Sequence, residues 1–487
     1  MKVTSFYLLK KMKTLKTTIL FVALATCMSV VSSCGDDDPA TEPNTDPVTP
    51  VTPDASEAMS SAKQKEYLET VALEFMDLMP SSDFSEIADL GQYMNDTYGD
   101  DYDWESVGDW AEDIFDASKE ALGTKTTESD TDKWGSYTYK YNYIYTNYKA
   151  VLLASNFVGH FTAQNGKWTL SKANDLQFIF KDKSGKECII KLETSGNVKK
   201  VYAFNEDDWQ DYDWNENGYT YTSNEYYDRT QYTIGVPEKI VVTLTQGGNQ
   251  VVKTTVNVDL GSITNEQFDI SKNSLTVSAS VELNNGYKFD CSQVAYTANS
   301  KASATFVMSK NGTSLVSAAV SGDISGIPSC NVDAFSSDNF DVDDYNTDDA
   351  NAKNAFVKLD IIGKVQIQGT VSDVRKFADY INDADDNDTN EATYKSYINQ
   401  ANGLADVNLF YDGKATKQAS IKLEPFVDET WNGKTWWTVE PVIYFYDGSS
   451  YSTFEAFFNE TDFKKVIDTF KTLSNKYADL IDERIDW

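Results

Sequence analysis

The chain has 487 residues, and 42 Lys and Arg face 76 Asp and Glu, a formal charge of −34. Nucleic acid and anionic lipid surfaces need basic patches, so this balance excludes them as partners. A single histidine, His160, excludes a multi-histidine metal site, while 41% apolar residues are enough for one or two folded cores.

Residues 1–33 carry five lysines and no acid. Met12-Lys13-Thr14-Leu15-Lys16 precedes an apolar run from Ile19 to Val31. That run is too short for a permanent membrane span and suits the core of a signal peptide. It closes on Val31-Ser32-Ser33-Cys34. The segment resembles a bacterial lipoprotein lipobox, which implies that residues 1–33 are removed and that Cys34 is acylated as the first mature residue. Gly35-Asp36-Asp37-Asp38 follows and resembles the acidic export tetrad of surface-exposed lipoproteins of Bacteroidetes. The resemblance covers only 12–38. It implies an outer-membrane, lipid-anchored protein facing the cell exterior, touching the membrane through its anchor alone. Each buried methylene contributes about 0.8 kcal/mol, so three acyl chains hold firmly. Pro39, Pro43, Pro47, Pro50 and Pro53 lie among Thr, Asp and Asn. Such a stretch packs no core, and 34–56 reads as a stiff stalk.

Residues 57–123 read as a helical unit of three stripes. These are Leu68–Met79 ended by Pro80, Phe84–Tyr98, and Trp104–Leu122 ended by Gly123. From 124 to 332 the period becomes two, with turns at Ser184-Gly185, Gly247-Gly248, Asn285-Gly286 and Asn311-Gly312. The 333–487 region mixes both periods. Helices start near Ser372 and around Tyr394, hairpin arms flank Asp412-Gly413, and a strand covers Val439–Tyr446. A long amphipathic helix over about 462–484 closes the chain. The sum is an α+β fold: an N-terminal helical unit, a central antiparallel meander, and a C-terminal helix packed on the sheet.

Candidate chemistry is sparse. Cys188 alternates with Ile190 and Leu192, which places it in a core. Cys188, Cys291 and Cys330 are three, an odd number that makes no disulfide framework. His160 has no G-x-S-x-G elbow to serve and reads as structural. Asp383, Asp385 and Asn387 begin like a calcium loop, but Asp388 and Tyr394 stand where an EF-hand needs Gly and Glu. A solvated interhelical loop is the favoured reading, with calcium the one cofactor left open. Carboxylate pairs are too common here to mark a hydrolase.

Aromatic residues are the remaining signal. Tyr137, Tyr139, Tyr141, Tyr143 and Tyr145 fall on alternate positions and line one face of a strand. The 209–232 segment, read as a loop, interleaves Trp209, Tyr212, Trp214, Tyr219 and Tyr221 with Asp and Asn. Rings of this kind either cover a sheet or, where exposed, stack on sugars. The leading expectation is therefore a non-catalytic surface lipoprotein binding a glycan or a protein partner. A hydrophobic-ligand carrier built on the Ala/Val/Leu face of 275–320 comes second, and a carboxylate-based hydrolase last.

Overall fold

The computed structural model describes residues 58–99, 102–216, 218–263, 268–327, 351–449, 452–458 and 461–480. The signal segment, Cys34, the stalk, Cys330 and the acidic stretch 333–350 lie outside them. Among the described residues no helix is long and apolar enough to cross a membrane.

Helix α1 (Ser61–Leu78) begins where the Ser60 hydroxyl accepts from the Lys63 amide, and it stops just ahead of Pro80. A 3-10 turn, Ser81–Phe84, leads into α2 (Ser85–Tyr98), and α3 (Glu105–Ser118) follows. The third helix is shorter than its stripe suggests. Lys119 is already extended, and strand β1 (Lys119–Trp134) starts there, leaving Leu122 exposed on a strand. The cause is tertiary: β2 (Tyr137–Leu153) pairs with the whole of β1, and that ladder overrides a weak helical periodicity.

Then come β3 (Gly159–Gln164), β4 (Lys167–Ser171) and β5 (Leu176–Lys181), followed by the long β6 (Glu187–Asn215) and β7 (Thr220–Gln246). The meander continues through β8 (Asn249–Asp259), β9 (Leu275–Leu283), β10 (Tyr287–Thr297), β11 (Lys301–Lys310) and β12 (Thr313–Ser325). Beyond the undescribed stretch lie β13 (Asn351–Ile361) and β14 (Val365–Asp373). A helical hairpin, α4 (Val374–Asp385) and α5 (Glu391–Leu404), is capped by Asp373 and Asn390. Strands β15 (Ala405–Tyr411), β16 (Ala419–Trp431), β17 (Lys434–Phe445) and β18 (Ser452–Thr453), helix α6 (Phe454–Phe457) and helix α7 (Lys464–Leu480) complete the described residues.

The eighteen strands among the described residues belong to one sheet. From β5 to β18 each strand pairs antiparallel with the next. Strands β12 and β13, on either side of the 332/333 junction, are direct neighbours. The tight turns explain the regularity. Asn165-Gly166, Asn311-Gly312 and Asn432-Gly433 each place two successive residues at positive φ, the twist a two-residue hairpin needs.

The sheet branches at β7. Its first part, Thr220–Gly235, lies between β6 and a parallel β2; its second part, Lys239–Gln246, lies between β6 and β8. Pro237, without an amide hydrogen to donate, stands at the switch. The branch forms a four-stranded arm in the order β1–β2–β7–β6, distinct from the meander.

Two cores hold the helices to the meander. Leu90 and Val107 pack with Phe161, Trp168, Phe180, Val281 and Met308, and Val71 with Val365, Leu409, Tyr411 and Phe445. The N-terminal helices are therefore a layer on the sheet. Ile362 packs against both cores and holds a left-handed φ of 47°, a strained conformation for a β-branched residue. The C-terminal helix α7 lies along α1, and the Tyr477 hydroxyl donates to Met79 O at 3.0 Å. The α4–α5 hairpin buries Ala384, Tyr394 and Ile398 against Leu423, Trp437 and Val439.

Candidate functional site: an aromatic arm

Residues 209–232 are not a loop. They are the ends of β6 and β7, joined by a short turn that includes Tyr219 at positive φ. Acids and amides hid the strands from the sequence pattern, because neither face of this ribbon is simply apolar.

Register sorts the aromatics. Tyr139 of β2 is level with Tyr221 of β7, which is level with Trp214 of β6. Side chains alternate between faces, so Tyr137, Tyr139, Tyr141, Tyr143, Tyr145, Tyr221, Tyr227, Tyr212 and Trp214 share one face. Trp209 and Tyr226, level with each other, occupy the opposite face. The five candidate rings are thus divided: Tyr212, Trp214 and Tyr221 are together, Trp209 is across the ribbon, and Tyr219 sits at the tip.

Each outer ring of β6 rests on a tyrosine of an inner strand. Trp209 lies on Tyr226 at 5.1 Å and 4°. Tyr212 lies on Tyr221 at 5.5 Å and 27°, and Trp214 on Tyr137 at 5.8 Å and 29°. With one face covered in this way, the 48%, 59% and 42% exposure of Trp209, Tyr212 and Trp214 belongs to their outer faces and edges. Trp134 at 78% and Tyr219 at 52% complete an open tip. Offset stacking at these distances stabilises a ring pair by about 0.5–1.5 kcal/mol beyond area burial.

Polar groups stand between the rings. Tyr212 donates to Gln210 at 2.6 Å and Tyr227 to Glu225 at 2.9 Å. On the Trp209 face, Asn142 donates to Asn224, Asn224 to Asp211 at 2.8 Å, and Tyr226 to the same carboxylate at 3.2 Å. Burial, then these carboxylate partners, push the Tyr226 and Tyr227 phenols above their ordinary range, so both remain protonated donors at neutral pH. Nearer the body, Arg229 pairs with Glu206 and lies 4.4 Å above the Tyr145 ring. That closes the inner end of the aromatic face.

The other candidates lie elsewhere. His160 Nε2 is 2.6 Å from Asp175 Oδ1 on the β3–β5 surface, and Gln177, then His160, hold the Asp175 carboxyl below its usual range. Ser171 beside them donates to the His160 carbonyl at 3.3 Å, not to its ring. Cys188 is fully buried, and burial pushes its thiol up to about 11. Asp383 and Asp385 end α4. Asn387 donates to the Asp383 carbonyl at 2.8 Å, and the Tyr394 hydroxyl lies 3.5 Å from Asp385 Oδ1. Among the described residues no group of three or more acid, His or Cys side chains is placed to hold a metal ion. On the meander, Val277, Ala279, Val281 and Leu283 are buried, whereas the cross-strand pair Val320 and Val357 is nearly half exposed.

Comparison with protein-family models, curated proteins and solved structures finds no match to this chain.

Proposed function

We propose that the protein is a surface-tethered, non-catalytic binding module that takes a glycan on its aromatic arm. The observation that carries this reading is the set of braced rings at the arm's tip: Trp209, Tyr212 and Trp214 each present an outer face on a rigid backing. A sugar ring stacks on such a face with its apolar C–H side, while its hydroxyls meet Asp, Asn and Gln side chains between the rings. Rings already fixed in place lose little conformational freedom on binding. The lipobox and stalk would present the arm outward on a Cys34 anchor.

Affinity electrophoresis against a panel of soluble polysaccharides tests the reading. Retardation by at least one glycan, lost in Trp214→Ala, is expected; silence across the panel, or retardation unaffected in both Trp209→Ala and Trp214→Ala, refutes it. The anchor is tested separately by metabolic labelling with a fatty-acid probe, where equal labelling of Cys34→Ala overturns it. A second reading, a carrier of a hydrophobic ligand, draws on the exposed Val320–Val357 pair. Native mass spectrometry of the purified chain decides it: a co-purifying lipid supports the carrier, and its absence removes it.

A further inference from the structure

Resting on that reading, we infer that the ligand is a linear, uncharged glycan laid lengthwise along the outer edge of β6. Three observations converge on that edge. Among the described residues, strand pairing on the outer side of β6 ends at Leu192, level with Leu176, the first residue of β5. From Asn205 to Trp214 the strand is paired only on its β7 side, so outward peptide groups are left for a ligand's hydroxyls. The braced rings also belong to this strand, and all three stack inward, on Tyr226, Tyr221 and Tyr137. Their uncovered faces therefore look past the β6 edge.

Spacing sets the size of the ligand. Trp209 and Trp214 are five residues apart, roughly 17 Å along a strand. That is a run of several linked sugars, and the rings flank the edge from both faces of the ribbon. A single terminal sugar reaches only one of them.

Charge sets its class. Between 205 and 216 lie Glu206, Asp207, Asp208, Asp211, Asp213 and Glu216, and no Lys or Arg occurs from 201 to 228. Beyond the Arg229–Glu206 pair, an acidic polysaccharide brought along this edge meets like charge from Asp207 to Glu216. Carboxylates and amides do accept bonds from the hydroxyls of a neutral sugar.

Isothermal titration of the protein with neutral oligosaccharides of increasing length, from disaccharide to octasaccharide, tests the inference. The series is drawn from whichever neutral polysaccharide retards the protein, or from cello-, xylo-, manno- and malto-oligosaccharides if none does. Polygalacturonate and heparin serve as the acidic arm. Affinity is expected to climb with length and level off, with Trp209→Ala and Trp214→Ala each weakening the longest ligand by roughly tenfold. Val427→Ala, an exposed position on β16 outside the arm, should leave it unchanged. A disaccharide binding as tightly as an octasaccharide overturns the edge track while leaving glycan binding intact. Binding of the acidic polymers in preference to neutral ones overturns the charge assignment alone. Failure of every saccharide, neutral or acidic, overturns the proposed function with it.

Discussion

Asp83 joins the N-terminal helical layer to the sheet, and its replacement by Asn isolates one charge. Its carboxylate accepts from Lys310 at 2.6 Å and from the Tyr287 hydroxyl at 3.0 Å. Lys310 ends β11 and Tyr287 begins β10, so the contact clamps the 3-10 turn after α1 onto two hairpin ends. The Lys310 bond is the main cause holding the Asp83 carboxyl below its ordinary range. Side chains of the ion pair are 25% and 26% exposed. A charge-assisted bond contributes about 1.5–3 kcal/mol when sheltered, and solvent at this exposure reduces that to about 1 kcal/mol. A carboxyl depressed on folding contributes stability above its unfolded pKa, about 3.9, which is lost as pH falls through the folded value. The amide in Asp83→Asn still accepts from Tyr287 but does not attract Lys310. Native-state hydrogen exchange of peptides spanning 78–90 is the assay, because about 1 kcal/mol is diluted in a global melt of so large a body. Exchange should be roughly fivefold faster in the variant at pH 7, with the ratio falling toward one well below pH 4. An equal ratio at both pH values would show that shape, and not charge, holds the joint. No difference at pH 7 would show that the clamp contributes nothing.

Three further outcomes follow from particular residues. At Ile362 the backbone φ of 47° suits glycine, so Ile362→Gly should be more stable than Ile362→Ala by about 1 kcal/mol in urea denaturation, the reverse of the usual order; Ala equal to or above Gly refutes the strain. Cys188, fully buried with its thiol pushed up to about 11, should resist maleimide at pH 8 until denaturant is added, as read by peptide mass mapping; labelling of the native chain at a free-thiol rate contradicts the core placement. Replacing Asp207, Asp208, Asp211 and Asp213 together by Asn should produce concentration-dependent self-association in sedimentation velocity, because the β6 edge loses its repulsion; a variant that stays monodisperse shows that these charges do not guard the edge.

What the sequence displayed depended on whether one face of a strand was apolar. Val277, Ala279, Val281 and Leu283 alternate with Thr276, Ser278, Ser280 and Glu282, and β9 is legible at once. Asn311-Gly312 and Asp412-Gly413 marked their hairpins for the same local reason. Strand β1 has no such pattern: Thr124, Lys125, Thr126 and Thr127 become a strand because β2 supplies a ladder from the following segment. The arm was half visible. Tyr137–Tyr145 read correctly as one face, but the 209–232 segment, rich in Asp and Asn, read as a loop. Once that stretch is taken as a strand, period two alone separates Trp209 from Tyr212 and Trp214. Only the stacking of these rings on Tyr226, Tyr221 and Tyr137 required the structure, since it joins residues of separate strands, Trp209 directly across from Tyr226 and the other two diagonally.

The acidity of the arm and its aromatic surface solve a shared difficulty. A ribbon with open edges and uncovered rings is a template for its own copies, and a membrane tether would concentrate those copies in a plane. Covering the rings would remove the hazard and the surface proposed for the ligand together. Charging the edge separates the two, because repulsion acts between copies of the same sign while an uncharged chain approaches without penalty. Lys119, Glu120, Lys125, Asp132 and Lys133 place mixed charge along β1, whose outer edge is likewise without a strand partner among the described residues. On the outer part of β6, from Asn205 to Asn215, where the braced rings stand, every charged side chain is an acid. The asymmetry fits a division of labour in which β1 needs protection alone and β6 needs protection together with access.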